Sequence, residues 1–328
     1  MKIVFYNKTL ISGGIEKCIE ILSKYIYNKY ELEVVYVEDS ILDPNVVKLI
    51  SKYAKVYKIE DGMQINCDIC IWCYQYIDYD RLKRIIHADK YISWLHSMPR
   101  ILPNYILDND EFLDTCSDII CVSEAVKNNL NLKKEGQVIH NFIDPDIKLL
   151  ALESNPLADI STDTLKLVMV SRLSRGKGFD RLVYLCQSLK KANIKFKVTI
   201  VGKGRSKESE IRNNLEVFEE VEFIGYRDNP HPYIVNSDYL VQLSDEESWC
   251  NSITESKILG VPVVVTNFES ASEQIIDGEN GIVVDLNVTN YDEVVNRMIN
   301  LKEKLKNNLK SFEYTNEIDK WLKIFEEK

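Results

Sequence analysis

Two glutamates eight positions apart, Glu247 and Glu255, have the residue type and spacing to bind vicinal hydroxyl groups, because a carboxylate can accept two hydrogen bonds at once. The apolar stretch 239–243 predicts a buried strand before them, and residues 254–259 predict a helix. Open α/β sheets bind ligands beside such strand-to-helix loops, so both carboxylates are expected to face one crevice. Since 51 of the 328 residues are acidic, two glutamates at this spacing can occur by chance. The residues around them are therefore needed to identify a binding site.

A second segment, about seventy residues earlier, carries two cations beside a predicted helix start. The apolar stretch 165–172 predicts a buried strand that ends at Arg172, Lys177 stands between two glycines, and an amphipathic helix is predicted to about residue 191. A helix N-terminus offers unpaired amides and partial positive charge, so the segment is expected to bind a diphosphate. The alternative interpretation is that the two cations are ordinary surface residues at a turn, with no role in ligand binding.

Together and in this order, the two segments resemble the retaining family-4 glycosyltransferases of the GT-B fold, over nearly the whole chain. In that family a Glu-x7-Glu motif and the Arg and Lys of the preceding βα unit hold a nucleotide-sugar donor. The resemblance implies that Arg172 and Lys177 bind the diphosphate. It also implies that Glu255 binds the ribose hydroxyls and that Glu247 binds the donor sugar. Arg172, Lys177 and Glu247 are thereby expected to act in catalysis.

The segment that follows the first glutamate departs from the family pattern. It reads Ser248, Trp249 and Cys250 where the family usually has small glycines, which bears on sugar specificity. The resemblance implies that backbone amides from Trp249 to Ser252 help to hold the sugar and phosphate. The predicted N-cap of the following helix is Asn251 or Ser252.

Three further places are expected near the ligand from the resemblance. Gly13 and Gly14 join the first predicted strand to the first helix, where the family approaches the donor phosphates and the acceptor, although a plain turn uses the same residues. His96 follows the predicted strand 91–95, where similar enzymes carry a histidine that contacts donor sugar or acceptor, so it is also expected to be catalytic. Gly225 ends a strand where related enzymes contact the base. No role is predicted for the remaining histidines, which are His87, His140 and His231.

The remaining pattern predicts two α/β domains. With 328 residues and 45% hydrophobic residues, the chain can bury two cores. Strand and helix patterns alternate along residues 1 to about 150, and a second series starts after the polar, proline-bearing stretch 144–164. We therefore predict Rossmann-like domains over 1–155 and 156–312. The resemblance implies that these doubly wound domains face each other across a cleft, that the first binds the acceptor and the second the donor, and that the last helix, within 313–328, packs back on the first.

The cysteines favour reduced thiols. Cys67, Cys70 and Cys73 have the spacing of a metal ligand set, but on the predicted strand 68–74 they point alternately to opposite faces and cannot converge on one ion. No secretory signal precedes them, so a cytoplasmic location is expected. Because two cations are expected to neutralise the diphosphate, neither a metal nor another cofactor is predicted.

Charge and hydropathy limit the partners. A net charge of −10 argues against general nucleic-acid binding, and no apolar run approaches the roughly 20 residues that span a bilayer. A group of basic residues has two interpretations. It is either an ordinary solvated surface or a site of peripheral contact with anionic lipid at the inner face of the membrane. The group is a predicted helical stripe with neighbouring cations, namely Lys48, Lys52, Lys55, Arg81, Lys83 and Arg84.

The combined prediction is a retaining, metal-independent glycosyltransferase that moves a hexose from a nucleotide-diphosphate sugar to a saccharide or lipid-linked acceptor. The frequency of Ile, Lys, Asn and Tyr is typical of AT-rich bacterial genomes, from which we expect a role in cell-surface polysaccharide or glycolipid synthesis. Two alternatives stay open. One is a sugar-nucleotide epimerase of the same fold, for which no acid/base pair is identified. The other is a catalytically silent, glycosyltransferase-like partner subunit.

Overall fold

The computed structural model describes residues 1–73, 83–97, 116–129, 134–204 and 208–327. They form two compact units, one made of Met1–Ile143 with Asn316–Lys328 and the other of Asp144–Thr315. The chain therefore passes from the first unit to the second and returns once. The helix predicted near Arg81 lies outside the described residues.

In the described residues, the first unit has a parallel sheet of seven strands in the order β3-β2-β1-β4-β5-β6-β7. Residues such as Ile3, Val4 and Phe5 are fully buried, as expected for strands covered on both faces. The strands are β1 Lys2–Asn7, β2 Glu31–Tyr36, β3 Lys55–Lys58, β4 Ile65–Trp72, β5 Ile86–Leu95, β6 Asp118–Cys121 and β7 Gln137–Val138; the helices are α1 Gly14–Ile26, α2 Pro44–Ile50 and α3 Glu124–Asn129.

The second unit has a parallel sheet in the order β10-β9-β8-β11-β12-β13. Counted from its own first strand this is 3-2-1-4-5-6, the order of a doubly wound dinucleotide-binding fold. The elements are α4 Ile147–Ala151, β8 Leu165–Val170, α5 Phe179–Lys191, β9 Phe196–Val201, α6 Glu208–Leu215, β10 Val221–Gly225, α7 His231–Val235, β11 Tyr239–Gln242, α8 Asn251–Ile258, β12 Val263–Thr266, α9 Ala271–Gln274, β13 Gly281–Val284 and α10 Asp292–Leu309. The two sheets confirm the predicted α/β fold with two Rossmann-like units.

The sheet order of the second unit places its site. β8 and β11 are paired neighbours although other strands and helices separate them in the sequence. The strand order reverses between them, and ligands of open α/β sheets bind at the carboxyl ends of strands beside such a switch point. The loop after β8 carries Arg172 and Lys177, and the loop after β11 carries Glu247.

The observed unit boundaries differ from the predicted ones at 155/156 and 312/313. The polar stretch after Asp144 is not a free linker, because α4 packs against α7. The side-chain amide of Asn229, just before α7, donates to the carbonyl oxygen of Leu150 at 2.9 Å. Composition suggested a linker, but these contacts attach the stretch to the second unit.

The last helix, α11 Ile318–Glu326, belongs to the first unit. Its Trp321 is fully buried, with its ring 4.8 Å from the ring of Trp94. The side chain of Asn316, before the helix, accepts a hydrogen bond from the Ile143 amide and donates one to the Ile143 carbonyl oxygen, both at 2.9 Å. The chain thus leaves and re-enters the first unit at adjacent positions.

Two predictions on local structure need correction. α2 ends at Ile50 and Lys55 lies on β3, so Lys48, Lys52 and Lys55 do not share a helical stripe; Arg81 of the same predicted patch is outside the described residues. The strand predicted over 68–74 is β4, which begins and ends earlier. In the described part of the chain no helix is long and apolar enough to cross a membrane.

The three cysteines on and after β4 are free thiols. Cys70 and Cys73 are buried and Cys67 is half-buried. Burial raises the pKa of the Cys67 thiol to about 12, so this thiol stays protonated at neutral pH. Within the described ranges, no group of three or more His, Cys, Asp or Glu side chains has the arrangement of a metal site.

The start of α11 predicts a pH-dependent contribution to stability. Burial raises the pKa of Glu317, but hydrogen bonds from the His140 ring, the Lys320 ammonium and the His140 amide outweigh it and lower the pKa to about 2. Because this pKa lies below the ordinary value of 4.5, the stabilisation is present above pH 4.5 and is lost as the pH falls towards 2. We expect Glu317→Gln to lower the free energy of unfolding at pH 7 by about 1–2 kcal/mol, after allowance for solvent screening.

Chemical denaturation of both proteins at pH 7 and pH 3 checks this expectation. The difference between Glu317→Gln and the parent should shrink at pH 3. The exposed Asp319, two positions later, supplies the control Asp319→Asn, which should leave stability unchanged at both values. A difference that is equal at both pH values would assign the effect of Glu317→Gln to something other than the titration of this carboxylate.

Candidate active site

The loops after β8 and β11 touch through their backbones. Gly176 and Gly178 have φ of 79° and 76°, the left-handed region that favours glycine. The amide of Asp245 donates to the carbonyl oxygen of Gly176 at 2.8 Å. A Cβ atom added to Gly178 would lie 1.8 Å from the carbonyl oxygen of Leu243, so no side chain fits there. The glycines around Lys177 therefore hold it against the loop that carries Glu247.

Arg181, on the first turn of α5, fixes the same contact from the other side. Its guanidinium donates to the carbonyl oxygen of Leu243 at 3.1 Å and to the carboxylate of Asp245 at 2.6 Å. It also donates to the carbonyl oxygen of Leu286 at 3.1 Å. The predictions did not include Arg181, because a cation near the start of an amphipathic helix ordinarily points to solvent. Its three partners make it a structural clamp of the two loops.

Lys177 and Glu247 form an ion pair, with Nζ 2.7 Å from Oε1. Their side chains are only 19% and 13% exposed, so the pair is poorly screened by water. The same carboxylate oxygen accepts hydrogen bonds from Ser244 Oγ at 2.7 Å and Gln242 Nε2 at 3.0 Å. Three donors on one oxygen fix the position of the carboxylate, and among the described residues no hydrogen bond or ion pair to Oε2 is seen.

Gln242 and Ser244 are missing from the predictions although both are almost fully buried. Gln242 is the last residue of β11, and a polar side chain at the end of an apolar strand was the available signal. Its amide also donates to Ser244 Oγ at 2.7 Å, which orients the serine towards Glu247.

Arg172 is exposed, and among the described residues its guanidinium makes no ion pair with a carboxylate. It follows the end of β8 by two residues, on the loop that also carries Lys177. A cation without a protein counter-charge at the carboxyl end of a central strand is available to an anionic ligand. Arg172 and Lys177 thus supply two positive charges to one loop.

Glu255 lies on α8, which begins at Asn251, three residues before the start of the predicted helix 254–259. The N-cap is Cys250, with φ −93° and ψ 102°, and it makes no side-chain capping bond; Asn251 and Ser252 are already helical. Polar residue type favoured the latter two, but the backbone enters the helix before them. Glu255 is 14% exposed, and its Oε1 lies 3.7 Å from Nε2 of His231.

The start of α8 is held by Gln274, which the predictions also missed. The Cys250 amide donates to Gln274 Oε1 at 3.2 Å. Gln274 Nε2 in turn donates to the Cys250 carbonyl oxygen and to Thr254 Oγ1, both at 2.9 Å. The Cys250 amide was predicted to face sugar or phosphate, but in this structure it is bonded to Gln274. Burial also raises the pKa of the Cys250 thiol to about 12, so it is not a thiolate nucleophile at neutral pH.

The other predicted site residues in this unit flank these loops. Trp249 is half-buried and stands between Glu247 and Cys250 on the loop. Gly225 ends β10 with φ 75°, and its carbonyl oxygen accepts from the Gly202 amide at 2.9 Å. A glycine is required at 225 for its backbone, whatever contact it makes with a ligand.

Gly13, Gly14 and His96 belong to the first unit. Gly13 is the N-cap of α1 in an extended conformation, and an added Cβ would lie 2.8 Å from a carboxylate oxygen of Glu16. An added Cβ on Gly14 would meet nothing within 4 Å. At position 13 the added Cβ would meet only the end of the Glu16 side chain, and at position 14 it would meet no atom.

His96 follows β5, with its ring 4.4 Å from the ring of Trp94. Its Nε2 is buried and has no hydrogen-bond partner among the described residues. Burial lowers the pKa of His96 to about 3, so the ring is neutral at physiological pH. A neutral imidazole can exchange hydrogen bonds with a sugar but cannot serve as a cation.

A surface pocket beside the glycine loop is distinct from the Lys177–Glu247 ion pair. Its lining includes the carboxylates of Asp180, Glu210 and Asp245, opposed by Arg175 alone. Lys177, Glu247 and Glu255 do not line it. An acidic pocket disfavours a diphosphate, so the candidate site is the ion-paired switch point rather than this pocket.

Solved structures share this architecture. A glycosyltransferase from Rickettsia africae has a TM-score of 0.74 and 17% identity, covering 99% of this chain and 97% of that chain. Anabaena HepE in complex with UDP and glucose has a TM-score of 0.75 and 17% identity, covering 94% of this chain and 92% of that chain. The fold is therefore GT-B, as the sequence resemblance predicted.

The sequence match is narrower and lies in the second unit. Residues 157–315 match the family of glycosyl transferases group 1. The second unit of this GT-B protein belongs to that family. The lipopolysaccharide core biosynthesis glycosyltransferase LpsE of Rhizobium meliloti is 29% identical over 174 residues, which are 51% of this chain and 49% of LpsE. The chain spans about half the length of the curated relatives it matches.

Proposed function

We propose that this protein is a retaining glycosyltransferase that moves a hexose from a nucleotide-diphosphate sugar to a saccharide or lipid-linked acceptor. The observation that carries the proposal is the Lys177–Glu247 ion pair at the switch point of a group 1 glycosyltransferase unit. The Lys177 ammonium can bind a phosphate and the Glu247 carboxylate can bind hydroxyl groups, and the two groups lie 2.7 Å apart. A sugar diphosphate carries phosphate and hydroxyl groups equally close together, at the bond between the sugar and the diphosphate.

In the proposed reaction the bond between the anomeric carbon and the diphosphate oxygen breaks. Positive charge develops on the sugar ring as in an oxocarbenium ion, and negative charge builds on the leaving diphosphate. Arg172 and Lys177 stabilise the leaving charge electrostatically, so no metal is assigned to this step. The acceptor hydroxyl attacks the same face of the sugar and passes its proton to the leaving phosphate, which retains the anomeric configuration.

The carboxylates bind hydroxyls in this proposal. Glu247, fixed through Oε1 by Lys177, Ser244 and Gln242, presents Oε2 to the donor sugar. Glu255 accepts hydrogen bonds from the ribose. His96 contacts sugar or acceptor as a neutral group. The half-buried Trp249 stands where the family usually has glycine, and its large side chain leaves less space for the donor sugar. We therefore propose that Trp249 helps to determine which sugar binds.

The relatives suggest the setting. LpsE is named for lipopolysaccharide core biosynthesis, and HepE was solved with UDP and glucose. We therefore propose a uridine-diphosphate sugar as the first donor to test and a cell-surface glycan or glycolipid as the product. We further propose that the enzyme acts in the cytoplasm, at the inner face of the membrane where a lipid-linked acceptor would lie.

Nucleotide release from UDP-, GDP-, ADP-, CMP- and dTDP-sugars, with EDTA present, tests the proposal. Turnover of one donor is expected, and the anomeric configuration of the transferred sugar, read by NMR, should equal that of the donor. A requirement for added divalent cation would overturn metal independence. Nucleotide binding without turnover of any donor in the presence of candidate acceptors would favour a silent subunit.

Glu255→Gln tests the ribose assignment separately. Replacing the carboxylate with an amide removes a charged acceptor for the ribose hydroxyls, and we expect the Kd of the free nucleoside diphosphate to rise about tenfold or more. Calorimetric titration with UDP and GDP measures it without any sugar. An unchanged Kd would remove Glu255 from the ribose site.

A further inference from the structure

His231 is a buried histidine for which the sequence predicts no role. It begins α7 and is only 4% exposed. Its Nε2 lies 3.7 Å from Oε1 of Glu255, although 24 positions separate the two residues in the sequence. The contact exists because α7 packs against α8.

The Glu255 side chain needs such a neighbour. It is 14% exposed, and within the described ranges no other side chain forms an ion pair or hydrogen bond with its carboxylate. A carboxylate withdrawn from water is unfavourable unless a donor or positive charge replaces the lost hydration. His231 is the polar group in place to do so.

The His231 ring itself is incompletely bonded. Its Nδ1 is buried and has no hydrogen-bond partner among the described residues, which is unfavourable in a folded protein and is typical of functional positions. The ring is held by its backbone instead, since the His231 amide donates to Asn229 Oδ1 at 3.2 Å and Asn229 is bonded to Leu150. The backbone at His231 is therefore fixed, and its imidazole lies beside Glu255.

We propose that His231 is a positioning residue for Glu255, and through it sets the preference of this site for a ribonucleotide. His231 orients the carboxylate so that its free lone pairs meet the 2′- and 3′-hydroxyls of the ribose. The His231 imidazole, with Nε2 3.7 Å from Oε1 of Glu255, also compensates the carboxylate when the bound nucleotide excludes water. This inference rests on the proposed function, because it assumes that a nucleoside diphosphate binds at Glu255.

The test compares ribose with a sugar that lacks both hydroxyls. UDP, GDP and ADP are titrated calorimetrically, and the tightest binder is then compared with its 2′,3′-dideoxy analogue. His231→Phe keeps the ring volume without a donor, and we expect it to raise the Kd of the ribonucleotide about tenfold and to leave that of the dideoxy analogue within about twofold. His231→Gln, whose amide can replace Nε2, should restore ribonucleotide binding to within about threefold of the parent.

A double substitution makes the comparison stricter. In the Glu255→Gln background, His231→Phe should have no further effect on the Kd of the ribonucleotide, because the group it positions is already altered. Thermal unfolding of each variant checks folding, and His231→Met serves the same comparison if His231→Phe does not fold.

The outcomes separate the two proposals. Failure of the parent protein to bind UDP, GDP, ADP or dTDP overturns the proposed function and this inference together, whereas binding of dTDP alone overturns only this inference. If Glu255→Gln weakens ribonucleotide binding but His231→Phe does not, only the positioning role is wrong. Equal weakening of ribonucleotide and dideoxy analogue by His231→Phe, or additive effects in the double variant, would also overturn it, since either outcome assigns His231 to packing.

Discussion

Lys177→Ala is expected to lower kcat/KM for the donor sugar by about a thousandfold, because it removes a preorganised positive charge from the place where the leaving diphosphate becomes more negative. The loss should fall mainly on kcat, since that charge is needed most in the transition state. Glu247 keeps its hydrogen bonds from Ser244 and Gln242, so its position should survive the substitution. Nucleotide release under single-turnover conditions measures the effect.

The control is Lys195→Ala. Lys195 is 73% exposed and pairs with the exposed Asp163, so its removal should leave turnover and stability unchanged. Both variants should show the parental unfolding temperature within a few degrees. Turnover by Lys177→Ala within about threefold of the parent would show that the diphosphate does not bind at this lysine.

Gly178→Ala is expected to lower the free energy of unfolding of the second unit by about 3–5 kcal/mol, a loss that is exceptional for one methyl group. The left-handed backbone alone costs roughly 1 kcal/mol for a residue other than glycine. The added Cβ would also lie 1.8 Å from the carbonyl oxygen of Leu243, so the two loops must separate. That separation would move Lys177 away from Glu247 and abolish transfer as well.

Gly260→Ala is the matched control for the same unit. Gly260 has φ 74°, nearly that of Gly178, but an added Cβ there meets nothing within 4 Å. It should therefore cost only the backbone contribution, about 1 kcal/mol. Urea unfolding of both variants measures the difference, which isolates the close approach of the loops. Equal losses would mean that the loop contact tolerates a side chain.

Much of the fold could be read from the sequence because buried parallel strands are apolar and are separated by amphipathic helices. The proximity of Lys177 and Glu247 was also predictable, since they follow strands that the doubly wound order places side by side. The boundary between the units was less accessible. The stretch after Asp144 is polar, and only its contacts with α7 assign it to the second unit.

The supporting residues could not be predicted for a different reason. Gln274 and His231 each contact a partner 24 positions away in the sequence, and Gln242 donates a hydrogen bond to Glu247, five positions further on. A single polar residue in an apolar segment signals that some partner exists but does not identify it. The N-cap at Cys250 could not be predicted for the same reason. Cysteine is not a preferred N-cap residue, and its backbone is held in place by hydrogen bonds with the distant Gln274.

The double hydrogen bond between Asn316 and Ile143 has a consequence for how such proteins can be recombined. Because the chain leaves the first unit at Ile143 and returns at Asn316, the segment 144–315 is an insertion whose two ends start from hydrogen-bonded neighbours. A cassette of this kind can be exchanged for that of a relative by two cuts without interrupting the sheet of the host unit. The chain is in this sense modular, and a chimera that keeps Ile143 and Asn316 retains the two hydrogen bonds that hold the ends of the exchanged segment together.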